Sequence, residues 1–316
     1  MKKFLPIVAF ILISGCAKQV QTGQELFNKG TSAVEKKDWN DAVINLKEAL
    51  SKDLTPQQRE KAMIMLADAY FKKEDYTDAA LEYKEFLTLF PASKYADKAL
   101  FRLSLCYLQL VKGPQWDQTF TKKALDAINT FIENYPDSPL KEKAEQIRKE
   151  CRKILAEHIV YIGLTYDMLH QFTASIQRYE EARALYSDVE EPDKLLFLIG
   201  RAQYFVPMQA EEKIEELKEQ LDAEKERLAK AKTDEEVKVC NRRISLLLKD
   251  IENWQKLADM NRRKGEKNLK TLIMKYPDSI YASKARDILK GSEKIEIFPV
   301  ENPVKKPFFR WFFETL

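Results

Sequence analysis

The feature that most constrains this chain is a period of 37 residues. Lys36-Lys37-Asp38-Trp39-Asn40-Asp41-Ala42 returns as Lys72-Lys73-Glu74-Asp75-Tyr76-Thr77-Asp78-Ala79, with Asp38 and Asp75, and Ala42 and Ala79, each 37 residues apart. The two segments stay in phase through Asn45-Leu46-Lys47-Glu48-Ala49-Leu50 and Glu82-Tyr83-Lys84-Glu85-Phe86-Leu87. Apolar residues recur three and four apart inside the period, which predicts a helix–turn–helix unit. Such a unit leaves an apolar face that only the next unit can bury, so the period also predicts a stacked array. Composition agrees: only eight glycines occur among 316 residues, and Ala, Leu, Glu and Lys, all good helix formers, are plentiful. The expected class is all-α.

The units resemble tetratricopeptide repeats over nearly all of residues 23–291. A small residue in the first helix of each pair, Gly30, Ala67, Ser104, Gly163 and Gly200, would admit the second helix. Three residues later Tyr70, Tyr107 and Tyr166 would fill the gap between helices, and the second helix begins around Ala42, Ala79, Ala124, Ser175 and Gly265. Pro91, Pro136 and Pro277 close units, because proline has no N–H and a fixed φ. They lie in Phe90-Pro91-Ala92-Ser93, Tyr135-Pro136-Asp137-Ser138 and Tyr276-Pro277-Asp278-Ser279, where the serine can cap the next helix. The fourth unit keeps only Tyr186-Ser187-Asp188. The expectation is a solenoid of about five helix pairs.

Two departures from the period mark places where binding contacts can be added. In the third unit Tyr107 and Ala124 are 17 residues apart, against nine between Tyr70 and Ala79. The extra residues, Lys112 to Thr119, open on Gly113-Pro114, a loop signal. Loops on a rigid scaffold often carry contacts, so Trp116, Asp117, Gln118 and Thr119 are candidate partner-binding residues; for Trp116 the alternative is a cover over the next helix. In the fifth unit Gln203 and Gly265 are 62 residues apart where nine are expected. Apolar residues at Ile214, Leu217, Leu221, Leu228 and Ala231, then Val237, Cys240, Ile244, Leu247, Ile251, Trp254 and Ala258, describe two coiled-coil helices. Thr233-Asp234-Glu235-Glu236 is a capping box for the second. The expected organisation is therefore repeats over 23–207, an antiparallel hairpin inserted over 208–264 after Pro207, and completion of the fifth repeat over 265–291. Each arm would hold about 25 residues and project on the order of 35–40 Å, with Cys240 a buried free thiol in the seam.

The two ends read differently from the repeats. Residues 1–15 carry Lys2 and Lys3, an apolar run from Phe4 to Ile13, then Ser14 and Gly15, the pattern of a signal peptide and too short to span a bilayer, which takes about 20 residues. Ile13-Ser14-Gly15-Cys16 resembles a bacterial lipobox, which implies diacylglycerol on the Cys16 thiol, a lipidated linker over 16–22 and, with Ala17 following, sorting to the outer membrane. Several acyl chains on one residue suffice for stable anchoring. At the other end, residues 292–316 lose helical period and close on Pro307-Phe308-Phe309-Arg310-Trp311-Phe312-Phe313. Phe308, Phe309, Trp311 and Phe312 are further candidate contacts: they dock on the solenoid, enter the membrane interface beside Arg310, or bind a partner.

Several function classes are disfavoured. The net charge is +3 and falls to about +1 without Lys2 and Lys3, with no domain-sized basic field, so no nucleic-acid partner is expected. His158 and His170 are twelve residues apart on one expected helix, whereas helical metal ligands usually sit four apart. Gly-rich phosphate loops, GxSxG and GKS/T are missing. No catalytic residue, metal site or cofactor is expected beyond the covalent lipid on Cys16. None of Cys16, Cys106, Cys151 and Cys240 forms a CxxC pair.

With the lipobox, five units and two interruptions in place, the chain resembles the BamD family of outer-membrane assembly lipoproteins, also called ComL or YfiO. The most specific stretch is Asp117-Gln118-Thr119, Ala124, Tyr135-Pro136-Asp137-Ser138, Leu155-Ala156-Glu157-His158 and Tyr166. The resemblance covers 23–206 and resumes weakly at 265–290. It implies a periplasm-facing, lipid-anchored scaffold of the β-barrel assembly machinery. Residues 23–110 would receive unfolded outer-membrane proteins, and 139–206 with 265–290 would contact the central barrel component. The inserted hairpin departs from that pattern and interrupts the second surface. A periplasmic protein coordinating envelope growth with division is the alternative scaffold, since such proteins also end repeats in Tyr-Pro-Asp-Ser; an envelope hydrolase is the alternative from another class.

Overall fold

The computed structural model describes residues 21–291. The signal segment, Cys16, and the tail with Phe308, Phe309, Trp311 and Phe312 lie outside the described residues. Among the described residues there are eleven α-helices and no strand. The chain divides into two compact units, Met1–Cys106 and Tyr107–Leu316.

The first unit contains α1 (Gly23–Glu35), α2 (Trp39–Leu50), α3 (Pro56–Lys72), α4 (Tyr76–Leu89) and most of α5 (Ala96–Gln109). Helix α1 packs on α2, α2 on α3 and α3 on α4, the neighbour-to-neighbour contact of a repeat array. Thr22 and Thr55 start α1 and α3 through capping boxes with Glu25 and Gln58, each cap contributing about 1 kcal/mol. The turns within the two pairs are alike: Lys37 (φ 59°) and Glu74 (φ 65°) both adopt the left-handed conformation. Leu26, Leu46, Leu66, Tyr83, Phe86 and Phe101 fill the core.

The second unit contains α6 (Thr119–Asn134), α7 (Lys141–Met168), α8 (Phe172–Tyr186), α9 (Pro192–Lys230), α10 (Asp234–Lys275) and α11 (Ile280–Leu289). Each again packs on its sequence neighbour, and α11 also covers α9. Gly163 of α7 is required by close approach, because a Cβ there would run into the Tyr179 ring of α8. The core joins Val160, Phe172, Tyr179, Phe197, Ile199 and Leu269. The helix order is that of a tetratricopeptide-repeat fold: α1 pairs with α2 and α3 with α4 in the first unit, α7 with α8 and α9 with α10 in the second, and α11 follows as a single helix.

The proline stops have one shared geometry. Phe90, Tyr135 and Tyr276, each just before a proline, have φ from −128° to −133° and ψ from 57° to 60°, since the proline ring pushes its predecessor out of the helical region. Ser279 caps α11 as expected. All three serines make the same bond, accepting from the backbone N–H two residues on: Ser93 from Tyr95 (3.1 Å), Ser138 from Leu140 (3.3 Å) and Ser279 from Tyr281 (3.1 Å). The fourth pair, lacking the proline, is closed by Arg152. Its guanidinium takes both carboxylate oxygens of Asp188 (2.9 and 2.6 Å) and the Leu185 carbonyl (2.7 Å).

The hairpin is continuous with the fifth pair. Pro207 lies inside α9 and does not break it: α9 runs 39 residues and α10 runs 42. The arms are continuations of the fifth pair's own helices. An interior proline takes one N–H out of the helix, and α10 packs closely against the turn before it. Arg262 donates to the Tyr204 carbonyl (3.3 Å) and lies 3.4 Å above the Tyr204 ring. Gly265 of α10 lets the Tyr204 backbone approach to where a Cβ would be 2.5 Å from its nitrogen. Beyond the base, Ala210, Ile214, Leu217, Leu221, Glu224 and Leu228 are shielded on α9, as are Cys240, Ile244, Leu247, Ile251 and Trp254 on α10, while their flanks are exposed. That is a 3/4-spaced antiparallel seam. Thr233 caps α10 with the expected capping box, and Cys240 is free and buried. The polar member of the seam, Glu224, sits between Arg227 (3.2 Å) and Arg243 (3.5 Å).

Candidate partner-binding site

The loop leading into α6 is built around one buried side chain. Gln118, expected among the outward contacts, points inward with 4% of its surface exposed. Its Nε2 donates to the carbonyls of Gly113 and Trp116, both at 2.8 Å, and its Oε1 accepts from Thr121 Oγ1 at 2.7 Å. A buried amide must have its donors and acceptor satisfied, and here that requirement folds the loop. Gln118 is therefore a staple of the loop and not available to a partner.

The other three residues face solvent. Asp117 Oδ1 accepts from Thr119 N at 2.9 Å, and the Thr119 hydrogen bonds hold its carboxyl below the usual range. Thr119 is exposed at the start of α6. Trp116 is 55% exposed, with Lys112 Nζ 5.7 Å from its ring centroid.

A second tie comes from α7. His158 Nδ1 lies 2.5 Å from the Pro114 carbonyl; a carbonyl can only accept, so the imidazole donates there. The loop and the Leu155-Ala156-Glu157-His158 segment, distant in sequence, thus touch. Beside them Tyr107 and Phe120 stack at 6.4 Å, and Lys123 Nζ stands 5.7 and 5.5 Å from the two ring centroids. In the sequence His158 is weighed as a metal ligand and stands in the family-like stretch, Tyr107 is expected to fill a gap between helices and Lys112 to open the loop, while Lys123 and Phe120 are not singled out. The Lys122-Lys123 pair beside Phe120 was the available signal.

Behind the loop the second unit buries charge. Glu157 has one oxygen, Oε2, shielded and without a hydrogen-bond partner, and burial pushes its carboxyl up to about 7. Glu190 is also buried; Oε2 pairs with Lys194 at 3.1 Å while Oε1 has no partner. Asp167 accepts from Tyr179 Oη at 2.7 Å and pairs with Arg201, all three being nearly fully buried. The thiols of Cys106, Cys151 and Cys240 are free and buried; burial raises the Cys151 thiol to about 12. Among the described residues no group of three His, Cys, Asp or Glu is placed to hold a metal ion, and no helix is long and apolar enough to cross a membrane. What this geometry offers is recognition, through a rigid loop presenting an aromatic side chain.

The model of the YfiO family, described as an outer membrane lipoprotein, matches residues 19–221. The chain belongs to this family. The YfiO match includes the Trp116 loop and His158 and ends at Leu221, inside the outgoing arm of the hairpin. Membership associates the chain with the outer membrane. A curated relative, the putative outer membrane protein assembly factor BamD of Aquifex aeolicus (strain VF5), is 28% identical over 292 residues, or 90% of this chain and 95% of the relative. Two solved structures are similar at lower level. The yeast Sti1 TPR2AB domain in its Hsp90 complex is 14% identical with a TM-score of 0.36, covering 85% of this chain and 96% of that one. A repeat protein of Bacteroides fragilis is 14% identical with a TM-score of 0.36, covering 86% and 99%. At those scores they add nothing to the helix pairing described above.

Proposed function

We propose that this YfiO-family chain is a lipid-anchored, periplasm-facing scaffold of the outer-membrane β-barrel assembly machinery. The observation that carries the reading is the likeness to an assembly factor along 90% of the chain. The contact between His158 and the Trp116 loop supports it, because the two most family-like segments form one feature. In this reading residues 23–110 receive unfolded outer-membrane proteins. Residues 139–206 and 265–290 engage the periplasmic part of the central barrel component. Lipid on Cys16 holds the chain at the inner leaflet of the outer membrane.

Two experiments test it. Affinity purification of the full-length protein from solubilised envelope is expected to recover a large β-barrel with repeated periplasmic domains. Its reproducible absence, with division proteins in its place, would retire the assembly reading. Cys16→Ser is expected to leave unprocessed precursor and to release the protein from outer-membrane fractions; unchanged lipidation would remove the anchor from the account.

A further inference from the structure

The loop before α6 combines three properties that seldom coincide on a surface without a partner. It is rigid: Gln118 ties two of its carbonyls and His158 a third, Pro114. It presents an indole more than half exposed, although burying so large an apolar ring would be favourable by a few kcal/mol. It is also cationic. Lys112 stands over Trp116, Lys123 stands over Tyr107 and Phe120, and Lys122 is exposed on the same turn. The acid in the loop, Asp117, is committed to the Thr119 amide. A preorganised Trp ringed by polar groups is the usual anatomy of a binding hot spot, and the absence of ordering cost is what lets a small patch bind.

We infer that this patch docks an acidic segment of a partner protein carrying an aromatic or aliphatic side chain. The apolar side chain lies on the indole of Trp116, and flanking carboxylates meet Lys112, Lys122 and Lys123. Lys112, Lys122 and Lys123 are exposed, so their ammonium groups can meet an incoming carboxylate. The same Trp–Lys chemistry also suits an anionic membrane surface. The protein occupant is favoured because Gln118 and His158 hold the loop in one conformation, which suits a single shaped segment, whereas attachment to a lipid surface needs no preorganised site. The inference rests on the binding-scaffold reading, but on its geometry alone and not on the identity of the assembly.

The test uses the purified full-length mature protein in detergent and two labelled peptides of equal length, one alternating Glu with Phe and Leu, the other with Lys in place of Glu. Fluorescence anisotropy is expected to show saturable binding of the Glu peptide, at least about tenfold tighter than the Lys peptide and weaker in high salt. Trp116→Ala should abolish it, and the double variant Lys112→Glu, Lys123→Glu should reverse the preference while circular dichroism stays unchanged. Binding absent, indifferent to peptide charge, or unaffected by both variants overturns the inference. So does binding to vesicles of phosphatidylglycerol that Trp116→Ala removes. If the barrel is not recovered from envelope but the peptide preference holds, the assembly reading falls alone; the converse removes only this inference.

Discussion

The two units contain the same polar triad in two settings. In the first, Tyr83 donates to Asp68 at 2.5 Å and Arg102 pairs with the same carboxylate. In the second, Tyr179 donates to Asp167 and Arg201 pairs with it. In both the arginine follows the aspartate by 34 residues, one repeat later. The tyrosine comes from the second helix of the pair and the arginine from the first helix of the next, so each triad links three successive helices. The difference is solvent. Asp68 is 34% and Arg102 16% exposed, against 2% and 4% for Asp167 and Arg201. One repeat device thus serves as a water-accessible clasp in one unit and as a sealed ion pair in the other. Sealing raises the cost of losing a partner far more than it raises the value of the intact pair.

The largest expected effect follows from that asymmetry. Arg201→Leu leaves Asp167 buried and unpaired, with Oδ1 already lacking a partner, and should destabilise the second unit by about 3–5 kcal/mol. Arg102→Leu lets Asp68 hydrate and should cost about 1 kcal/mol in the first unit. Hydrogen exchange resolved by residue would read both; equal losses would break the comparison.

Next in size is a pH effect in the second unit. Glu157 is raised to about 7 in the folded protein from 4.5. The folded state therefore holds a proton that the unfolded state has released, and stability falls as pH rises from about 4.5 through about 7. Glu157→Gln should flatten that decline in thermal melts between pH 5 and pH 8. An unchanged pH profile in the variant would remove the buried carboxyl from the account.

The smallest effect is expected from shortening the hairpin. Deleting residues 208–264 would also remove Gln209, which bonds Thr173, and Arg262, which covers Tyr204. Deleting 213–259 with a short linker keeps both. The shorter deletion should leave both triads protected from exchange and melting cooperative, whereas the longer should lower the melting temperature by several degrees, about 1–2 kcal/mol.

What could be read in the sequence is what repeats or follows a local rule. The period, the five pairs, the three proline stops and the Thr233 cap all depend on neighbours along one helix. The triads escaped notice because Asp68 and Arg102, like Asp167 and Arg201, meet across a whole repeat, in a chain where charged residues are a third of the total. Gln118 looked like a contact because an amide in a loop is usually exposed; its inward turn depends on Thr121 and two carbonyls that only the folded loop brings together. Pro207 marked where the insert begins; that one helix runs through it, with Arg262 and Gly265 packed on Tyr204, is a tertiary feature that local signals do not show. Glu224 was passed over in the hairpin because an apolar pattern skips a carboxylate, although it holds a seam position between two arginines.

Support of outer-membrane β-barrel assembly is the role we propose for this YfiO-family chain. Its most direct test is conditional depletion in the native cell, measuring the fraction of newly made barrel proteins that reach the folded, heat-modifiable form. This fraction is expected to fall before growth slows and to be restored by the wild-type chain. A folded fraction that stays constant while septation fails would contradict it.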